Sequence, residues 1–180
     1  DAGLAENTLV IFTSDHGEYL GDHGKIGKGM PGHDASARVP LIMSCPGVIE
    51  PGGRYRELVE LVDLAPTMLD FCGVQTPPAL QGRSLRPLLT GGEYEPRTSA
   101  YMEQREYPAA SQKAVATHRF KYCVNQDARE LLFDREAEPD ELTNVADDPA
   151  YRDDLEAMRA EFLRRWFEIE HPPRERVGAY

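Results

Sequence analysis

Residues 8–13, Thr-Leu-Val-Ile-Phe-Thr, form an apolar, β-branched run that stops abruptly at Ser14-Asp15-His16-Gly17-Glu18. Such a run predicts a buried strand. A carboxylate and an imidazole released at a strand's end, beside a glycine, suit a divalent metal. Twelve residues after His16, Lys28 lies in the glycine-rich stretch Gly24-Lys25-Ile26-Gly27-Lys28-Gly29. A metal-binding pair and a lysine on one loop leaving a sheet point to a site for a tetrahedral anion. Asp and Gly are also ordinary turn residues, so this stretch alone leaves a plain surface turn open. A second apolar strand follows within residues 36–44 and is broken by Pro46-Gly47. The excursion between the strands, residues 15–38, has the length that compact domains reserve for functional or mobile loops.

Further along, Asp63 reads as a helix N-cap, Pro66 as a first-turn residue and Gly73 as the terminator. Leu64, Thr67, Met68 and Phe71 share one face of that helix. The pairs Pro77-Pro78 and Gly91-Gly92 bracket a connection with a short turn at residues 84–89, which sets a boundary between residues 1–92 and residues 93–180. Beyond it, residues 99–103, 113–117, 119–124 and 130–133 read as short strands, with His118 and residues 125–127 at the turns. Four such segments predict a small antiparallel sheet. Tyr151, Leu155, Met158, Phe162, Trp166 and Ile169 recur at spacings of three and four, so the last helix lays one apolar stripe on that sheet. Pro172-Pro173 ends it, and His171 serves as a helix-end residue.

The order of these segments resembles the sulfatase family of the alkaline phosphatase superfamily. The matching text runs from Asn7-Thr-Leu-Val-Ile-Phe-Thr-Ser-Asp-His-Gly-Glu through Leu20-Gly-Asp-His-Gly, Gly27-Lys28 and Arg38-Val-Pro-Leu-Ile. Val62-Asp-Leu-Ala-Pro-Thr-Met-Leu-Asp, Leu80-Gln-Gly-Arg-Ser-Leu, Phe120-Lys-Tyr, Leu131-Leu-Phe-Asp and Glu141-Leu-Thr-Asn look like its later landmarks. The resemblance implies an α/β fold: a partial alkaline-phosphatase-like sheet over residues 1–92, with parallel strands, then a small antiparallel sheet with a C-terminal helix over residues 93–180. It makes Asp15 and His16 metal ligands and Lys28 the catalytic contact to the scissile group, with His23 and His33 as candidate pocket residues. As loop histidines, both of these are expected to be exposed. Lys25 competes with Lys28 for its role, and Asp34 and Arg38 are expected to pair and hold the loop.

Calcium sulfatases of the family carry Asp-Asn where this chain has Asp15-His16, and the Asp-His version is similar to the phosphonate monoester hydrolases. Imidazole nitrogen favours Mn, Fe or Zn over Ca. The family's nucleophile is a formylglycine made within a Cys-x-Pro-Ser-Arg or Cys-x-Ala-x-Arg motif, and Cys45, Cys72 and Cys123 all lack it. The nucleophile and the first metal-binding Asp pair are therefore expected on a missing N-terminal portion of the same enzyme. The resulting expectation is the C-terminal fragment of a metal-dependent sulfatase, inactive by itself. Its alternatives are a phosphonate or phosphate ester hydrolase and a non-catalytic binding module.

The resemblance implies a small-molecule sulfate or phosphonate ester as the partner. A net charge of −11, from 31 acids against 20 bases, disfavours nucleic acid and anionic membranes. The acids of residues 130–161 read as a solvated face. No apolar run approaches a membrane span. The three cysteines are widely spaced and read as small buried hydrophobes. No signal peptide is visible, which fits a cytoplasmic or a periplasmic location. A sheet cut open at one side would also expose apolar surface and favour self-association through its edge.

Overall fold

The four short strands do form one sheet. In the computed structural model, which describes residues 3–29, 32–106 and 110–170, two compact units are built from interleaved stretches of chain. Among the described residues the first unit comprises 3–13, 41–97 and 167–170, and the second comprises 14–29, 32–40, 98–106 and 110–166. The elements in chain order are β1 (Val10–Thr13), α1 (Asp34–Ala37), β2 (Leu41–Ser44), α2 (Leu64–Phe71), α3 (Arg86–Leu89), β3 (Ala100–Glu106), β4 (Ala110–Ala116), β5 (Phe120–Asn125), β6 (Glu130–Asp134) and α4 (Arg152–Glu170).

In the first unit β1 pairs with β2 antiparallel, with Phe12 opposite Ile42 and Val10 opposite Ser44. This corrects the expectation of parallel strands. A parallel pair needs a crossover, usually helical, and among its described residues the 14–40 excursion contains only the single turn of α1 and a short 3₁₀ turn. Phe12 and Ile42 are each 61% exposed, so this small sheet presents an apolar face. Helix α2 ends as its sequence requires. Gly73 adopts φ +68°, and its amide and that of Val74 donate to the carbonyls of Asp70 and Leu69. Its start differs: the Asp63 carboxylate does not cap α2. It is fully buried, accepts from the amides of Glu60 and Arg83, and takes both terminal nitrogens of Arg97 at 2.5 and 2.6 Å. Met68 is exposed, whereas Pro66 and Thr67 are buried.

The second unit is a four-stranded antiparallel meander in the order β3-β4-β5-β6. Tight turns set its register. Between β4 and β5 the Thr117 amide donates to the Phe120 carbonyl, while the Phe120 amide donates to the Thr117 hydroxyl. His118 sits exposed in that turn. One sheet face carries Val115, Phe120, Tyr122 and Leu132, and α4 lays Leu155, Met158 and Phe162 on it. Trp166 packs against this cluster while half-buried, and Tyr151 and Tyr101 flank it. Fully burying one such Leu, Met or Phe side chain stabilises by about 1.5–3 kcal/mol, so the stripe is the main support of α4. Asp148 accepts the Ala150 amide just ahead of the helix, and Asp153 and Asp154 lie in its first turn, where the helix dipole favours acids. Pro172, Pro173 and His171 lie outside the described residues.

The opposite sheet face carries Ala114, Cys123 and Phe133, also buried. Residues 120–123 are buried without interruption because both faces of β5 are covered. Cys123 is fully enclosed, and burial pushes its thiol up to about 12. Cys45 is buried too, but Cys72 is exposed, contrary to the expectation for all three. No described helix is long and apolar enough to cross a membrane.

Candidate functional site

The covering of that second sheet face is the loop that follows β1. Gly17 is indispensable to its path. Its amide donates to the Ser36 carbonyl at 2.7 Å, and a Cβ there would stand 2.0 Å from the Ala35 carbonyl oxygen. No side chain fits that gap, so the residue after His16 must be glycine. Leu20 and His23 hold left-handed φ values of 47° and 52° in the same loop, a conformation that side chains adopt at some cost.

Asp15, His16 and Lys28 meet. His16 Nδ1 lies 2.8 Å from the Gly17 carbonyl oxygen, so it carries the ring proton and leaves the Nε2 lone pair open. Lys28 Nζ donates to that Nε2 at 2.8 Å, and Asp15 Oδ2 stands 3.6 Å from it. Asp15 Oδ1 accepts the His16 amide at 3.0 Å. The adjacent His16 imidazole, reinforced by that amide, holds the Asp15 carboxyl below the usual carboxylate range. Asp15 and Lys28 are exposed and His16 is half-exposed. Two donor atoms 3.6 Å apart can share one cation at about 2.0–2.2 Å from each, so carboxylate and imidazole fit a common divalent metal. They make an incomplete shell. Among the described residues no group of three or more His, Cys, Asp or Glu side chains is placed to hold a metal. Lys25, the competitor of Lys28, instead lies over the Tyr19 ring at 5.4 Å.

His23 and His33 form a stacked pair, with ring centroids 3.6 Å apart and planes within 4°. His33 is buried rather than exposed. Its Nδ1 lies 3.1 Å from the Tyr19 hydroxyl, and its ring packs against Phe133. Burial, reinforced by the charges of His23, Lys121 and Lys25, lowers His33 to about 4, so it is neutral near pH 7. Tyr19 is also buried; its amide donates to the Gly27 carbonyl beside Lys28, and its hydroxyl reaches the Gly29 carbonyl.

Asp34 and Arg38 do pair, at 3.5 Å. The stronger partners of Asp34 went unforeseen. Lys121 Nζ binds Asp34 Oδ1 at 2.5 Å, Glu141 Oε1 at 2.7 Å and the Gly32 carbonyl at 3.1 Å. Arg135 Nη2 binds Asp34 Oδ2 at 2.7 Å, and Glu141 Oε2 accepts the Asp34 amide at 2.8 Å. Burial pushes the Asp34 carboxyl up, but Lys121 and Arg135 outweigh it and hold it low. Glu141 is buried in this network and does not belong to a solvated face. The signal available in the sequence was the pair of landmarks Phe120-Lys-Tyr and Glu141-Leu-Thr-Asn, whose charged members meet here. An open groove of about 420 Å³ bounded by Asp70, Gly73, Val74, Gln75, Thr76 and Arg86 contains none of the candidate residues.

Residues 21–166 match the C-terminal family of N-sulphoglucosamine sulphohydrolase. The chain belongs to this sulfatase family. An arylsulfatase of Clostridium perfringens is 33% identical over 165 residues, which cover 87% of this chain and 33% of that protein. A protein solved in complex with its substrate D-glucosamine-2-N,6-O-disulfate superposes at a TM-score of 0.87 with 29% identity, over 98% of this chain and 37% of the other. A phosphonate monoester hydrolase from Silicibacter pomeroyi superposes at 0.81 with 34% identity, over 91% and 35%. The chain thus spans about a third of the length of the sulfatase relatives it matches. All three likenesses lie within the alkaline phosphatase superfamily.

Proposed function

We propose that the complete enzyme carrying this chain is a metal-dependent sulfatase that hydrolyses a small-molecule sulfate ester, and that this chain supplies part of its metal site and one charge-stabilising lysine. The observation that carries the reading is the convergence of Asp15, His16 and Lys28 within one loop of a sulfatase-family domain. When present, the metal supplies Lewis acidity toward the ester oxygens and a formylglycine outside this chain supplies the nucleophile. Asp15 and His16 would hold the metal, and Mn, Fe or Zn would suit the imidazole better than Ca. The Gly17 carbonyl fixes the tautomer that leaves Nε2 available. Lys28 currently occupies that lone pair. Beside a metal held by Asp15 and His16, the Lys28 ammonium would donate hydrogen bonds to the anion and offset its growing charge. His23 and neutral His33, stacked on the same loop, would line the substrate pocket.

A phosphonate or phosphate ester hydrolase is the second reading, favoured by the Asp-His pair and the likeness to the phosphonate monoester hydrolase. The retained cluster counts against a non-catalytic binding module. Relative turnover of an aryl sulfate and the matching aryl phosphonate by the complete enzyme tests the choice. Faster sulfate hydrolysis supports the sulfatase, faster phosphonate hydrolysis supports the second reading, and turnover of neither supports the binding module.

A further inference from the structure

We propose that Lys121, Glu141 and Asp34 are positioning residues for His16, acting through the backbone of residues 32–36. The proposal rests on the reading of Asp15, His16 and Lys28 as the metal and anion site. Lys121 is fully buried; its ammonium donates to the Asp34 carboxylate and the Gly32 carbonyl and forms an ion pair with the Glu141 carboxylate. With Arg135 the network balances two negative and two positive charges. Buried ion pairs of this kind are seldom more stabilising than apolar side chains of the same volume. What they supply is direction, and here every one of these contacts ends on the segment from Gly32 to Asp34 or on the residues that clamp it.

Two further details support a positional role. Glu141 sits at φ +55°, a left-handed conformation unusual for a residue with a side chain, and its carboxylate is thereby held on the Asp34 amide. The Gly32 amide is fixed separately by the Gln112 side chain at 2.8 Å. Two residues beyond Asp34, the Ser36 carbonyl accepts the Gly17 amide, and the Ala35 carbonyl fills the space that a Gly17 side chain would need. Gly17 in turn holds His16 Nδ1. The path from the buried ammonium to the ligand imidazole is therefore continuous: Lys121 and Glu141 to Asp34, the one-turn helix α1 to Ser36, Ser36 to Gly17, and Gly17 to His16.

The test is made in the complete enzyme with Glu141→Gln, which keeps the shape and removes the charge, and with Asp34→Asn at the less buried end of the network. Amide exchange at Gly17 is measured together with the metal concentration giving half occupancy. The expected result is a folded protein, with the Val115 and Leu132 amides still protected, in which Gly17 exchanges about tenfold faster and half occupancy needs about tenfold more metal, the scale for losing an outer-shell support. In the His16→Ala background Glu141→Gln should weaken metal binding no further. Unchanged Gly17 exchange and metal affinity in either folded variant overturns the proposal, as does uniform loss of protection across the sheet in both. If His16→Ala itself leaves metal binding intact, the site reading fails, and that result is distinct because Gly17 exchange still reports the positioning.

Discussion

The two faces of the four-stranded sheet are covered by opposite chemistry. On one face, α4 lays down Leu155, Met158 and Phe162 and relies on the hydrophobic effect. On the other, a glycine-rich loop with few apolar residues is held by Lys121, Glu141, Arg135 and Asp34, with His33 packed on Phe133. Apolar packing tolerates small slips, whereas hydrogen-bonded ions fix distance and angle. The face that carries the loop of Asp15, His16 and Lys28 is the face that uses charge. A helix that only closes the core needs no such fixing.

Five measurements break or sharpen that contrast. Phe162→Ala should cost about 3–5 kcal/mol in chemical denaturation and leave the metal affinity of the folded enzyme unchanged. Lys121→Met should cost a similar ~3–5 kcal/mol, because it strands buried carboxylates, and should also weaken metal binding. If both variants disturb the site equally, the faces do not differ in role.

A smaller effect is expected from His33. Its folded pKa of about 4 lies below the ordinary 6.5, so the unfolded chain binds more protons between those values. The stabilisation is complete above pH 6.5 and is lost as pH falls toward 4, by about 1–3 kcal/mol. His33→Gln should abolish that share of the slope, and an unchanged pH profile would remove His33 from the buried face. Trp166→Ala should cost about 2 kcal/mol, less than a fully buried tryptophan, since the ring is half-buried. Smallest is Lys28→Met, within about 0.5 kcal/mol in stability because the side chain is exposed. A large loss there would make Lys28 structural.

The same contrast explains what the sequence made legible. Strands β3 to β6 and α4 follow from turn residues and a 3.6-residue stripe, and the structure places them within a few residues of those expectations. The convergence of Asp15, His16 and Lys28 also follows from text within one loop. Lys121 and Glu141 did not announce themselves, because their partners lie 87 and 107 residues away in the chain. Lys121 occupies a strand whose two faces are both buried, which erases the alternation that would have flagged it. The antiparallel pairing of β1 with β2 was missed for a different reason. Strand direction depends on the path of the excursion between them, and local pattern carries no record of it.

Metal content and steady-state turnover of the complete enzyme, compared across Asp15→Ala, His16→Ala and Lys28→Ala, test the central claim most directly. The two ligand variants should lose metal and turnover together. Lys28→Ala should keep its metal and lose turnover by roughly 10²–10³-fold, the scale for one preorganised charge-stabilising donor. Unchanged metal content in both ligand variants, or full activity in Lys28→Ala, would contradict the account.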